Sequence, residues 1–238
     1  MKYYLITQIS FVALTIICLA LFYLGIRSGL RNYPPHKRQK FLLKFTSITL
    51  IWIAVLSMLS LTGFVADFSN FPPRLMLVLL PPAVALVFIT KSPATQEILT
   101  HLAPDNLVYL QSFRIIVEVL LWMLFLDNLT PIQMTFEGRN FDILVGITAL
   151  VAAPIFFGKA KLQKNWGIGW NIFGLLLLAN ILVIAILSFP SPIRYFMNEP
   201  ANTQVAKFPI IFLPGILVPI AYYLHVLSIK QLLLRSNR

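Results

Sequence analysis

Apolar residues occur along this chain in seven long runs that contain few or no charged residues. A helix needs about 17–25 apolar residues to cross the roughly 30 Å hydrocarbon core of a membrane, and every run has a length in this range. The pattern therefore predicts seven membrane-spanning helices. In chain order they cover about residues 3–26, 41–65, 74–90, 107–126, 141–157, 168–189 and 208–229.

The segments between the runs are too short for a separate soluble domain. We therefore expect residues 1–238 to form one all-α, polytopic integral membrane protein, a single seven-transmembrane-helix bundle. The first run is too long for a secretory signal and a basic loop follows it, so we expect it to remain as the first span. The loop at residues 91–106 has room for a short helix that begins at Pro93 and lays Ile98 and Leu99 against the membrane.

Composition agrees with a membrane protein. Hydrophobic residues make up 58% of the chain and charged residues 11%, whereas a soluble domain has about 45–50% apolar and about 25% charged residues. These figures exclude a soluble domain and a disordered chain. The single cysteine, Cys18, excludes an intrachain disulfide, and the three histidines lack the spacing of a metal site. We therefore expect no metal ion, and the sequence identifies no cofactor.

The net charge of +11 would suggest an acidic partner such as nucleic acid, but the positions of the charges change this interpretation. Twelve of the 19 Lys and Arg residues lie in loops on one side of the predicted bundle, and five lie on the other. Basic loops mark the cytoplasmic side of a membrane protein. We therefore expect the N-terminus outside, the C-terminus in the cytoplasm, a plasma (inner) membrane with the lipid bilayer as partner, and no nucleic acid.

Charged residues within the fourth predicted span are the first candidate site. Gln111, Arg114 and Glu118 are spaced so that they share one face of a helix. Ionisable residues at membrane depth cost roughly 2.5–3.5 kcal/mol on insertion scales, so they are functional candidates by default. One interpretation is an ion pair within the helix between Arg114 and Glu118 that fixes the packing. The other is a ligand or proton site, with Glu118 as the proton carrier.

A second polar cluster, Glu137, Arg139 and Asp142, precedes and begins the fifth span. It is followed at helical spacing by small residues, which allow helices to approach closely. The cluster is either a helix cap beside a tight helix contact or a polar vestibule that opens to the outside. Asp142 would then lie at the outer mouth of the bundle.

The seventh span combines three prolines with a polar face. Pro209, Pro214 and Pro219 interrupt backbone hydrogen bonds, and such breaks indicate either simple kinks or an internal cavity. Tyr222 and His225 share one face of this span. His225 is either an ordinary hydrogen-bonded residue or part of a site.

Motifs leave three hypotheses for function. The chain has no Walker-type phosphate loop, no G-x-S-x-G and no H-E-x-x-H, so ATP-driven motors and the best-marked hydrolases are excluded. The favoured hypothesis is binding or transport of a small solute, lipid or proton through an inward-facing polar site. The first alternative is an integral-membrane enzyme acting on a lipid or quinone, with His225, Tyr222 and Glu118 as candidate acid/base groups. The second is a structural, partner-binding membrane subunit.

Overall fold

A computed structural model describes residues 1–158 and 163–236, and within these ranges every regular element is helical. The α-helices in this part of the chain are α1 (Tyr4–Gly29), α2 (Pro35–Leu61), α3 (Leu80–Lys91), α4 (Pro93–His101), α5 (Pro104–Leu110), α6 (Phe113–Leu126), α7 (Ile143–Phe156), α8 (Lys164–Leu187) and α9 (Val218–Ser236). The all-α class predicted from the sequence is confirmed for these residues.

Six helical segments are long and apolar enough to cross a membrane. Two of them combine shorter elements: α3 continues a 3-10 turn at Arg74–Val78, and α9 continues a π-helical segment at Leu213–Leu217. Large apolar side chains are exposed along these helices, including Leu50 at 60% and Phe88 at 71%. Such a surface suits hydrocarbon rather than water. The six segments are Tyr4–Gly29, Pro35–Leu61, Arg74–Lys91, Pro104–Leu126, Lys164–Leu187 and Leu213–Arg235.

The fifth predicted span, at residues 141–157, forms a shorter helix than expected. α7 has 14 residues, which corresponds to about 21 Å, less than the roughly 30 Å of a membrane core. The chain before it, residues 128–142, contains one 3-10 turn and enters the bundle as irregular backbone. Its polar residues Thr130, Gln133, Thr135 and Asn140 are buried. Backbone of this kind is tolerated at membrane depth only where protein surrounds it.

The central helices are α6 and α9. Within an 18-residue apolar window of the segments that contain them, 56% of the residues are buried, against 11% in such a window of α2 and of the α3 segment. Residues of α6 and α9 therefore meet other parts of the protein on most sides. α2 and α3 lie at the periphery.

One end of the bundle, which we call the basic end, is where α1 and α9 end and where α2, α4 and α8 begin. Ile26, Leu42 and Ile98 form an apolar cluster there, and Gln231 of α9 donates hydrogen bonds to the carbonyl groups of Leu99 and Leu102. The predicted helix at Pro93 is confirmed as α4, but Ile98 and Leu99 pack inside the protein. Basic residues are exposed at this end, namely Arg27, Arg31, Lys37, Lys40 and Lys91.

At the opposite end, a carboxylate anchors the start of α1. The Asp127 side chain accepts hydrogen bonds from the backbone N–H groups of Lys2 at 2.7 Å and Tyr3 at 2.8 Å. The hydroxyl of Ser60, near the end of α2, donates to the carbonyl of Ala206. These contacts hold the starts and ends of several helices together at this second end.

One proline of the last span leaves a backbone carbonyl without its helical hydrogen bond, and a side chain of α2 donates to that carbonyl instead. Pro219 has no N–H, so the carbonyl four residues earlier, that of Gly215, lacks its α-helical partner. The indole Nε1–H of Trp52 in α2 donates to that carbonyl at 2.9 Å. A side chain at Gly215 would collide with Leu56 of α2, so the absence of a Cβ allows the close approach. This pair of contacts holds α2 against the π-helical segment.

Replacing Trp52 with phenylalanine should therefore lower stability in a way that depends on Pro219. We expect Trp52→Phe to cost about 1–3 kcal/mol, the penalty for a buried carbonyl without a donor. In the Pro219→Ala background the loss should be smaller, because the restored N–H can donate to Gly215. Thermal unfolding of the four proteins in one detergent measures this coupling. Equal losses in both backgrounds would contradict the assigned role of Trp52.

Candidate functional site

A buried ion pair joins α6 to the start of α7. The guanidinium of Arg114 contacts both carboxylate oxygens of Asp142: Nε donates to Oδ2 at 2.6 Å and Nη2 donates to Oδ1. Arg114 is 1% exposed and Asp142 6% exposed. Asp142 also lies at the N-terminus of α7, where the helix dipole favours a carboxylate. The partner of Arg114 is thus Asp142, and the ion pair expected within the helix between Arg114 and Glu118 is not observed.

The position of this pair shows how far the irregular segment enters the protein. Arg114 lies about halfway along the segment Pro104–Leu126, so its partner Asp142 also lies near the middle of the bundle. The sequence had suggested the outer mouth for Asp142. The difference arises because residues 128–142 fold inward before α7 begins.

His225 of α9 extends the ion pair into a chain of hydrogen bonds. Its Nε2 lies 3.0 Å from Nη1 of Arg114, and its Nδ1 lies 2.9 Å from Oδ1 of Asn171 in α8. A guanidinium has only donors, so Nε2 must accept and Nδ1 must carry the proton. His225 is therefore a neutral imidazole with both ring nitrogens engaged, and it is 0% exposed.

Asn171 continues the chain toward the basic end. Its amide nitrogen donates to the carbonyl of Gly167 at 2.8 Å and to the hydroxyl of Ser228 at 3.0 Å. Because the nitrogen donates twice, the amide oxygen faces His225 as an acceptor. This arrangement supports the protonated Nδ1 assigned above.

A glycine makes room for the imidazole ring. A Cβ at Gly174 in α8 would overlap Cε1 and Nε2 of His225. The ring therefore lies directly against the backbone of α8. Trp170, one turn earlier, packs against the same ring with a centroid separation of 5.3 Å.

Glu118 meets a different partner, Asn140. The Oδ1 of Asn140 accepts the backbone N–H of Asp142 at 3.1 Å, which fixes the orientation of the amide. Its Nδ2 then lies 2.7 Å from both carboxyl oxygens of Glu118 and 3.0 Å from the carbonyl of Met134. Glu118 is 1% exposed. Among the described residues, no basic side chain is hydrogen-bonded to it.

These contacts form one continuous set, which we call the polar network. It consists of Glu118, Asn140, Asp142, Arg114, His225, Asn171 and Ser228. Each member is at most 6% exposed. The network links α6, the segment before α7, α8 and α9.

A small cavity of about 80 Å³ adjoins the network. Glu118 and Asp142 are the two carboxyl groups in its wall, and apolar residues such as Leu75, Leu182 and Leu213 form most of the rest. The volume is sufficient for a few water molecules, each of which occupies about 30 Å³ in the liquid. The carboxyl groups thus border a space that can hold water.

The remaining predicted residues lie outside the network. Gln111 is buried and donates to the carbonyl of Ala221 at 3.1 Å. Glu137 and Arg139 are exposed, and the Arg139 guanidinium lies 5.3 Å from the ring centroid of Phe196. Tyr222 is half-buried and packs against the main apolar core. The structure therefore separates Glu137 and Arg139 from Asp142, with which the sequence had grouped them.

Sequence reasoning missed three members of the network: Asn140, Asn171 and Ser228. Two of them carry a signal that spacing could have revealed. Ser228 lies three residues after His225 on the same face of α9, and Asn171 lies three residues before Gly174 on the same face of α8. Asn140 carries the weaker signal of an Asn two residues before a helix start, which is typical of a turn.

The described residues form a helical, apolar-rich protein with a polar network among its central helices, and its long apolar helices are consistent with a membrane protein. No curated protein and no solved structure matches the chain. Residues 72–233 match the model of a family described as a domain of unknown function (DUF8737), and the chain belongs to this family. The matched residues include the whole polar network, whereas α1 and α2 precede them.

Substitution of Gly174 should disrupt the network through the position of His225. We expect Gly174→Ala to lower stability by about 1–3 kcal/mol, the usual cost of overpacking, because the new Cβ displaces the imidazole. Gly169→Ala in the same helix is the matched control, since a Cβ there meets nothing within 4 Å. It should be neutral or stabilise by up to about 1 kcal/mol. Thermal unfolding in detergent measures both, and similar effects of the two variants would contradict the packing described.

The ion pair should show strong coupling between its partners. Arg114→Met or Asp142→Leu alone should destabilise the fold by about 3–5 kcal/mol, because each leaves one buried charge without its partner. The double variant should regain much of this loss, since it removes both charges. Yields of monodisperse protein and unfolding temperatures of the three variants test this. Additive losses in the double variant would show that the two side chains do not act as a pair.

Proposed function

We propose that this protein binds and releases a proton at Glu118, and that this step serves a membrane carrier for a small solute or lipid. The observation that supports the proposal best is the environment of Glu118. Its carboxyl group is buried, meets one amide donor and borders a small cavity. The nearby guanidinium is hydrogen-bonded to another carboxylate and to His225.

The charges of the polar network support a proton on Glu118. Asp142 neutralises Arg114, and His225 is neutral because its Nε2 accepts from Arg114. An ionised Glu118 would therefore give the network a net charge of −1. An uncompensated buried charge costs several kcal/mol. A proton on Glu118 brings the total to zero without moving any other group.

The hydrogen bonds around Glu118 suit both protonation states. Asn140 donates to the carboxyl group whether or not it carries a proton. In the protonated state the O–H needs one acceptor, which water in the cavity would supply. Proton transfer would then require no large rearrangement of the helices.

The small cavity lies on one side of Glu118, and the rest of the polar network lies on the other. The cavity lies among residues that precede α3, residues near the end of α8 and the π-helical segment. Toward the basic end, the network is closed by Arg114, His225 and Asn171, none more than 1% exposed. This arrangement fits a carrier better than an open channel, because the described residues close the path on one side.

The proposal includes an orientation in the membrane. We place the basic end in the cytoplasm and the protein in a plasma (inner) membrane, because exposed Lys and Arg mark the cytoplasmic side. Protons would then reach Glu118 from the outside. The positive charge at the basic end meets anionic lipid rather than nucleic acid.

Infrared spectroscopy of the full chain in lipid vesicles tests proton binding without knowledge of the transported substrate. At neutral pH the wild-type protein should show the C=O stretching band of a protonated carboxylic acid, and Glu118→Gln should remove it. The variant should fold as well as the wild type, because glutamine resembles the neutral acid in shape and charge.

The matched control is Glu137→Gln, the same change at an exposed carboxylate. It should keep the band. Persistence of the band in Glu118→Gln, or strong destabilisation by that substitution, would show that Glu118 is ionised in the folded protein and would refute the proposal.

A further inference from the structure

A second and larger cavity lies between α1, α2, α4 and the central helices. Its volume is about 810 Å³, within the range of about 300–1,000 Å³ that is usual for ligand sites. Among the residues that the structure describes, the wall includes no Lys, Arg, Asp or Glu, and most of it is apolar. The wall combines buried residues such as Phe113 and Leu224 with exposed residues such as Leu21 and Phe88. The cavity therefore opens through the apolar outer surface of the protein.

Polar residues of the wall come from two places, and Asn106, Tyr109 and Ser112 of α5 and the turn before α6 form one of them. The hydroxyl groups of Ser28, Ser92 and Thr95 lie in the part of the wall contributed by the end of α1 and the start of α4. These elements meet at the basic end. The apolar part of the wall extends along α1 to Leu14, halfway toward the other end. A ligand with a polar head and an apolar chain matches this distribution.

Basic residues are next in the chain to several wall residues. Arg27 lies between the wall residues Ile26 and Ser28, and Lys91 precedes Ser92. Lys40 and Lys44 are chain neighbours of Phe41 and Phe45, which also line the cavity. These four side chains are exposed, and no salt bridge to any of them is found among the described residues. By the same criterion Glu97 precedes the wall residue Ile98, and Asp105 precedes the wall residue Asn106. Four basic residues against two acidic ones leave the charge next to the wall net positive, which favours an anion.

From this combination of volume, apolar wall and adjacent positive charge, we propose that the cavity binds an acyl chain of one anionic phospholipid, with its phosphate beside Arg27 and Lys91. The lipid enters sideways from the surrounding leaflet, because the wall is open at apolar residues. This site is separate from the proton site at Glu118 and does not depend on it.

Gly25 offers a way to fill the cavity without a steric clash. It lines the cavity, and a Cβ there meets nothing within 4 Å. A leucine at position 25 should therefore occupy space that the acyl chain needs. Gly169 in α8 is the matched control, because a Cβ there also meets nothing within 4 Å but the residue does not line the cavity.

The test measures thermal unfolding of the full chain in a neutral detergent with added phosphatidylglycerol or with phosphatidylcholine of the same acyl chains. Wild type and Gly169→Leu should show a saturable rise in unfolding temperature that is larger for the anionic lipid. Gly25→Leu should lose that rise. The double variant Arg27→Gln, Lys91→Gln should bind both lipids similarly, because each removed charge weakens anionic binding about fivefold.

Cross-linking of wild-type protein with a phosphatidylglycerol that carries a photoreactive acyl chain provides a readout that needs no substitution. Labels should concentrate on wall residues such as Leu21 and Phe113. A full thermal shift in Gly25→Leu, equal shifts for the two lipids in wild type, or labels spread over the outer face of α2 would each overturn the proposal.

Discussion

The ion pair between Arg114 and Asp142 is the interaction on which the centre of this protein depends. A guanidinium in the middle of an apolar bundle is tolerated only if a carboxylate and further acceptors satisfy it. Asp142 fills two of its hydrogen-bonding positions and His225 a third. Because Asp142 immediately precedes α7, the pair also holds the start of α7 against α6. The inward course of residues 128–142 brings this carboxylate to Arg114.

The same requirement determines the state of the surrounding polar groups. Since a guanidinium only donates, His225 must accept at Nε2, and Asn171 must then accept the proton on Nδ1. Gly174 is needed because the ring that satisfies Arg114 lies against the backbone of α8. Glu118 is not hydrogen-bonded to Arg114, His225 or Asn171. Its single amide donor, Asn140, is held by the backbone of Asp142 itself, so the free carboxyl group is positioned by the same segment that supplies the ion pair.

Much of this architecture was predictable from the sequence, because hydropathy and helical spacing are local properties. Six of the seven predicted runs correspond to helical segments of spanning length, and spacing placed Arg114 and Glu118 on one buried face. The interpretation that Arg114 pairs with Glu118 was wrong. The actual partner, Asp142, is 28 residues away in the chain and is brought to Arg114 by an irregular segment. Hydropathy gave no sign that the fifth helix is short, since residues 141–157 are apolar apart from Asp142 and Thr148. Asn140 and Asn171 were missed because a neutral amide in a membrane helix is a weak signal.

Both cavities border α6 and α9, but no residue lines both of them. On α6, Phe113 lines the large cavity and its neighbour Arg114 belongs to the polar network. On α9, Leu224 lines the large cavity and its neighbour His225 belongs to the network. The network lies wholly within residues 72–233, which match the family model. The large cavity also needs α1 and α2, which precede those residues. The buried charges are thus a property of the matched segment alone, whereas the apolar cavity exists only where the first two helices close over the central pair.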